Sequence, residues 1–400
     1  MPSSGGYYSF ATEGLGTRSG FMATWSYLIY EILGTAGCTG FLGYLVSDML
    51  RLQFHVNIPW WSFVIATAAL IWALTHHGIQ LSARVTAILG GLEVLIMLAL
   101  AITFLIHPGK DSSYVAPLDP AASPNHFGGV LAGMVFSILA LSGFEAPAPL
   151  AQEAQKPATF VGRAVTLSLA AIGIFYIFTS YASAVGWGTG DMAAFAANPN
   201  PFYVLGQALW RSGWWLVVLA IINSAVGVGL ACTNAASRVM YTMGRAGTLP
   251  GRFGRIDPVH QTPAFAIAFV QLSGLVAILL VGLLLKPDTI FGFLETIATL
   301  AVIVLYVMAN LALTRYMRRE HPAKFTVWQH LVAPWVATLA LVPVLFVTVF
   351  PEQPWPYKLT PYLFAGFLVV GVVYMRWNEW QNPGALGNAR KPTGGDCGKE

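Results

Sequence analysis

Charge is what this 400-residue chain has least of: only 10% of its residues are Asp, Glu, Lys or Arg. A soluble domain carries about 25%, because its surface faces water. A chain of this length without that charge would expose large apolar patches and aggregate, so a water-soluble fold is excluded. Cysteine is also scarce. Cys38 and Cys232 lie in apolar stretches and Cys397 lies near the end, which makes neither a disulfide framework nor a metal-binding spacing. There is no phosphate-cradling GxxxxGK[ST] loop, so the chain has no ATPase engine of its own. The basic residues form no stripe, and a net charge of +4 gives no footprint for nucleic acid. The N-terminus MPSSGGYYSFATEGLG has no basic segment followed by an apolar core, and is not a secretory signal peptide.

What is present is apolar. Hydrophobic residues make up 56% of the chain and the mean hydropathy is +0.64. Crossing about 30 Å of hydrocarbon takes roughly 20 apolar residues in a helix. Ten stretches qualify: 20–48, 58–75, 85–106, 127–151, 164–187, 213–240, 263–285, 289–314, 327–350 and 358–376. They are too long, and too apolar all round, for the alternating strands of a barrel. Helices satisfy their own backbone in lipid, so the expected fold is an all-α polytopic membrane protein of about ten transmembrane helices. Alternate loops carry 16 and five of the 21 Lys and Arg. The richer side is expected to be cytoplasmic and holds both termini. The expected organisation is residues 1–19 as a cytoplasmic lead-in, 20–376 as the membrane domain and 377–400 as a polar, Gly-rich disordered tail. Between spans, PFYVLGQALWRSGWW from Pro201 reads as a short interfacial helix with Trp210, Trp214 and Trp215 as anchors, or else as an ordinary loop.

The fourth span is the irregular one: FGGVLAGMVFSILALSGFEAPAPLAQEAQKP from Phe127. Gly143 weakens a helix there, and Pro147 and Pro149 each remove a donor. A break near Ala140–Phe144 leaves helix ends whose carbonyls suit an amine and whose amides suit a carboxylate; the alternative is a plain proline kink. Glu145 sits at the break, and Glu31, Glu93 and Glu295 lie inside other spans. Carboxylates at membrane depth are costly and point to substrate or proton handling, or else to structural hydrogen bonds between helices. Tyr27 and Glu31, four apart, share a helix face, which fits a ligand amine or a helix–helix contact. Asn223, Ser224, Thr233, Asn234 and Ser237 give the sixth span a polar face of low weight, since such residues mostly serve helix packing. His76 and His77 are neighbours on a turn with no third ligand nearby in sequence, and read as solvated. No metal, cofactor or enzyme active site is expected.

Four segments carry a family resemblance. SGFEAPAPLAQEAQKP from Ser142 resembles the sixth-helix motif of amino acid permeases in the amino acid–polyamine–organocation family. ACTNAASRVMYTMGRAGTLPGRFGRIDPVHQTP from Ala231 resembles their eighth helix and the loop after it. PSSGGYYSFATEGLG from Pro2 resembles the end of the second helix, and LSARVTAILGGLEVL from Leu81 the start of the fifth. The resemblance implies the five-plus-five inverted-repeat, leucine-transporter-like fold, with the ten spans corresponding to helices 3–12. The family's first helix and most of its second have no counterpart in these residues, so a misplaced start or a truncated gene is expected rather than a working ten-helix variant. By position the resemblance implies a substrate pocket of Tyr27, Glu31, Leu139, Ser142, Gly143, Phe144 and Cys232. It implies proton coupling at Glu145 or Glu93, the latter where some relatives place a lysine that replaces a sodium ion. The expected activity is secondary transport of amino acids or amines across the plasma membrane by alternating access, as a proton symporter or an exchanger. The small-molecule substrate and the bilayer are its partners, and a homodimer is open. The alternative is a non-transporting membrane fragment or a partner-dependent subunit.

Overall fold

The computed structural model describes residues 7–123, 126–144, 157–198, 200–350 and 353–383. Every regular element among them is helical. The order is α1 (Tyr7–Leu15), α2 (Thr17–Phe54), α3 (Trp60–His76), α4 (Ile79–Ile106), α5 (His126–Leu141), α6 (Pro157–Trp187), α7 (Met192–Ala197), α8 (Pro201–Trp210), α9 (Trp214–Arg245), α10 (Ala264–Leu284), α11 (Ile290–Glu320), α12 (Ala333–Val349) and α13 (Thr360–Gln381). Among the described residues eight helical stretches are long and apolar enough to cross a membrane, and α3 and the first part of α5 add two shorter apolar ones. Nine of the ten expected spans therefore coincide with helices, and the fourth does so as far as Leu141. Several helices overrun the apolar stretches because capping and loop contacts, rather than hydropathy, decide where a helix stops. Thus α13 continues to Gln381, five residues past the expected end, where Asn378 donates to the Gly247 carbonyl (3.2 Å).

The centre of the molecule is α2. It packs along α11 and α9 and touches α1, α3, α10 and α13. At 38 residues it is about 57 Å long, well beyond the hydrocarbon thickness. Four glycines, Gly34, Gly37, Gly40 and Gly43, let neighbours close on it. A Cβ on Gly37 would collide with the Glu295 carboxylate of α11, one on Gly40 with Ile290, and one on Gly43 with Val64 of α3. Small residues are the usual means of close helix approach in lipid, where no hydrophobic force drives helices together. The main core gathers Phe21, Tyr27, Leu33, Met243, Ile297 and Leu305 from α2, α9 and α11. The outer helices α4, α6, α12 and α13 carry exposed apolar side chains such as Leu95, Ile177, Leu339 and Tyr362, the surface that lipid covers.

The segment from Pro201 forms α8 and ends at Trp210, where Arg211 takes φ +44° before α9 begins at Trp214. Trp210 Nε1 donates to Thr103 Oγ1 of α4 (3.0 Å), and Tyr203 meets Trp214 edge-on. This short helix is therefore pinned to the spans beside it.

Candidate functional site

The interrupted span sets the site. α5 stops at Leu141, and residues 142–144 form a turn in which Gly143 takes φ +92°. That conformation costs an L-residue with a Cβ roughly 1–2 kcal/mol, which is why glycine stands there. The last turn of a helix that stops here turns its carbonyls out of the intrahelical ladder, inside an apolar span. Glu145, Pro147 and Pro149 lie outside the described residues, as does the Leu139 side chain.

The end of α5 is held against α2. Tyr30 Oη donates to Ser142 Oγ (3.0 Å), and Phe144 meets Tyr306 of α11 at a ring-centroid distance of 5.9 Å. On the same side of α2, Tyr27 and Glu31 are both about 1% exposed. Tyr27 packs between Tyr7 and Tyr30, with centroids 5.5 and 6.2 Å away. The Cys232 thiol of α9 lies beside the Glu31 carboxyl. Six of the seven expected residues thus lie on α2, in the turn after α5 and on α9, and none of the six is among those lining the cavity around Glu93. Leu139 is placed only by its backbone in α5.

Glu93 belongs to a different place. It lines a cavity of about 700 Å³ bounded by α2, α4, α5, α6 and α9. Asn223 Nδ2 donates to its Oε2 (3.1 Å), and Ser224 is a second hydrogen-bond partner. The polar face of α9, which sequence reasoning weights lightly, therefore holds this carboxyl. Leu141 and Ala140 also line the cavity, so it opens beside the end of α5, and Tyr176 and Ser180 of α6 add hydroxyls. Cys38 joins the two places. It lines the cavity, and its Sγ lies 3.9 Å from Glu295 Oε1, a carboxyl 3% exposed. Three membrane carboxyls, Glu31, Glu93 and Glu295, thus sit around α2 with thiols or amides beside them. A cavity of that size with a few polar groups in an apolar lining is what a small organic ligand needs.

Sequence reasoning missed Tyr30, Cys38 and Tyr176. Tyr30 follows Tyr27 at i+3 and could have been found on that ground. Cys38 and Tyr176 have no local signal, since only the packing of α2 against α11 and of α6 against α4 shows where they point. One expectation is corrected. His76 and His77 do have ligand-bearing neighbours, because Asp257 and His260 fold against them from the α9–α10 connection.

The amino acid permease profile matches residues 1–383. The branched-chain amino acid permease BcaP of Bacillus subtilis is 27% identical over 396 residues, covering 93% of this chain and 79% of that protein. The low-affinity putrescine importer PlaP of Escherichia coli is 24% identical, covering 69% of this chain and 61% of its own length. An arginine/ornithine antiporter of Latilactobacillus sakei is 25% identical, covering 76% and 64%. Among solved structures, a manganese transporter of Eremococcus coleocola aligns with a TM-score of 0.46 at 15% identity, covering 97% of this chain and 92% of that one.

Proposed function

The chain belongs to the amino acid permease family, and from that premise we propose that it carries amino acids or related amines across the cytoplasmic membrane by alternating access, coupled to protons or to exchange. The observation that carries the reading is the end of α5 at Leu141 inside an apolar span, held to α2 through Tyr30 and Ser142 beside a cavity that contains Glu93. Backbone at membrane depth stays outside a helical ladder only where it borders a cavity or binds something. A helix C-terminus offers partial negative charge to an ammonium group.

In this reading Tyr27, Glu31, Ser142, Gly143, Phe144 and Cys232 form the substrate wall, together with Leu139 of the same helix. Glu31 and the helix end both favour a cationic group, which every amino acid and amine carries at neutral pH. Glu93 takes and gives the coupling proton, with Glu145 of the same span as a second carrier. Asn223 and Ser224 hold the Glu93 carboxyl in place at the cavity. The relatives' names, a branched-chain permease, a putrescine importer and an arginine/ornithine exchanger, span the same chemical class. Both termini and the Arg-rich connections face the cytoplasm by the distribution of basic residues.

The direct test is uptake of radiolabelled amino acids and diamines into proteoliposomes of the purified chain. Imposed pH gradients and counter-substrate loading form separate arms. Accumulation that follows a pH gradient supports symport, and accumulation that needs internal substrate supports exchange. Absence of uptake under both conditions, in protein that elutes as a single species, refutes the reading.

A further inference from the structure

The transport reading leaves unused a cluster of histidines at one end of α3. The helix ends at His76, His77 caps it, and α4 starts after Gly78. The connection between α9 and α10 passes the same point. There Asp257 accepts the backbone N–H groups of Val259 (3.4 Å) and His260 (3.3 Å). This turn folds the His260 ring back onto its own Asp257, Nδ1 to Oδ2 at 2.7 Å. One bond closes the turn, Asp257 N–H donating to the Thr262 carbonyl (2.8 Å), and one ties it to α3, Thr262 Oγ1 donating to the His76 carbonyl (3.1 Å).

The outcome is three metal-ligating side chains from two distant segments. His76 Nε2 lies 3.7 Å from Asp257 Oδ2, and the His76 and His260 rings are 4.4 Å apart. One ligand atom from each of His76, Asp257 and His260 lies within 4.8 Å of the other two. The His76 ring is fixed by stacking on Trp72, 5.2 Å away and 8° from parallel. Its Nε2 is the nitrogen that faces Asp257, while its Nδ1 is buried with no hydrogen-bond partner among the described residues. His77 stands beside the cluster, 5.1 Å from His260. Its Nδ1 bonds the Ala73 carbonyl (2.7 Å). A carbonyl only accepts, so this nitrogen carries the hydrogen and the neutral ring keeps its lone pair on Nε2. That is how a backbone carbonyl sets the tautomer of a metal-ligating histidine.

We propose that His76, Asp257 and His260 bind one divalent transition-metal ion of the zinc class, joining the α3–α4 turn to the α9–α10 connection. Two imidazoles and one carboxylate select borderline ions over Mg²⁺ and Ca²⁺, which take oxygen ligands. For tetrahedral zinc about 2.0–2.2 Å from each ligand, the 3.7 Å His76–Asp257 pair must close slightly and the 2.7 Å His260–Asp257 pair must open. His260, with 31% of its side chain exposed, has the freedom to move. The fourth position falls to water or to His77. The bound ion ties together two connections far apart in sequence, so occupancy stabilises the fold independently of any transported substrate.

The test uses the full chain, purified without a histidine tag, stripped with chelator and titrated with Zn²⁺ by calorimetry. One ion per chain is expected, with a rise in melting temperature that Mg²⁺ does not produce. His76→Gln, Asp257→Asn and His260→Gln should each weaken binding at least about tenfold, while His321→Ala, on another connection, leaves it unchanged. Co²⁺ loaded into the unaltered protein gives a ligand-field spectrum of tetrahedral nitrogen and oxygen donors, a readout that needs no variant to fold. No heat with Zn²⁺, a Co²⁺ spectrum of the free aqua ion, or Zn²⁺ affinity unchanged in monodisperse His76→Gln/His260→Gln protein overturns the proposal.

Discussion

α2 and α6 are both long and both apolar, yet they occupy opposite places. Some 72% of the apolar stretch of α2 is buried, against 6% of that of α6. Hydropathy does not separate them, because a lipid-facing helix and a protein-facing one are equally greasy. Small residues do. The glycines of α2 recur every third residue, and three residues turn a helix through 300°. Each successive glycine therefore faces about 60° away from the last. Gly34, Gly37, Gly40 and Gly43 meet Cys232, Glu295, Ile290 and Val64 in turn, so neighbours approach on several sides. On α6, Gly162 and Gly173 have nothing within reach of a Cβ, and a close approach comes at Gly186 in the last turn, where Phe104 of α4 packs. A precessing glycine stripe thus marks the helix that other helices surround, and in this molecule that helix also carries Tyr27, Tyr30, Glu31 and Cys38.

The contrast can be broken or sharpened by substitution. The largest effect is expected for Gly37→Leu on α2. It overpacks the contact with Glu295 at a cost of about 3 kcal/mol or more, seen as loss of the monodisperse peak in size-exclusion chromatography. Next comes Gly143→Ala at the end of α5, where a Cβ in the left-handed region costs about 1–2 kcal/mol. The expected readout is a raised KM for uptake with the protein still folded. Glu93→Gln keeps the hydrogen-bonding shape but removes the ionisable group. Gradient-driven uptake should fall by roughly tenfold, within the usual range of coupling energies, while any exchange that needs no proton persists. Tyr30→Phe deletes one hydrogen bond to Ser142, worth about 1 kcal/mol, and should raise KM about fivefold with little change in melting temperature. The smallest effect belongs to the outer surface. Leu167→Ala on α6 and Gly366→Leu on α13 should each stay within about 0.5 kcal/mol of the original melting behaviour. An outer substitution as damaging as Gly37→Leu would dissolve the distinction between the two kinds of helix.

Much of the fold is legible beforehand because the bilayer imposes one requirement, about 20 apolar residues in a self-satisfied helix. Nine of the ten expected spans coincide with helices on that basis, and the fourth does so as far as Leu141. The stop at Leu141 is legible too, since Gly143 and the two prolines beyond it are local backbone signals. Candidate pocket residues on α2 follow from i,i+4 spacing. Tyr176, Cys38 and the amide–hydroxyl shell around Glu93 do not, because each depends on which face of one helix meets which face of another.

What the amino-acid order determined by itself is the medium, the number of spans, the place where the fourth one ends and the chemical class of groups inside the membrane. These are set by composition and by backbone preferences that act within a few residues. Only the tertiary structure decided that α2 stands at the centre, that Glu93 faces a cavity while Glu31 and Glu295 are closed in, and that His76 meets Asp257 and His260. Those pairings join segments far apart in sequence, Cys38 and Glu295 by 257 positions, and they exist only once close packing has chosen one mutual rotation of the helices.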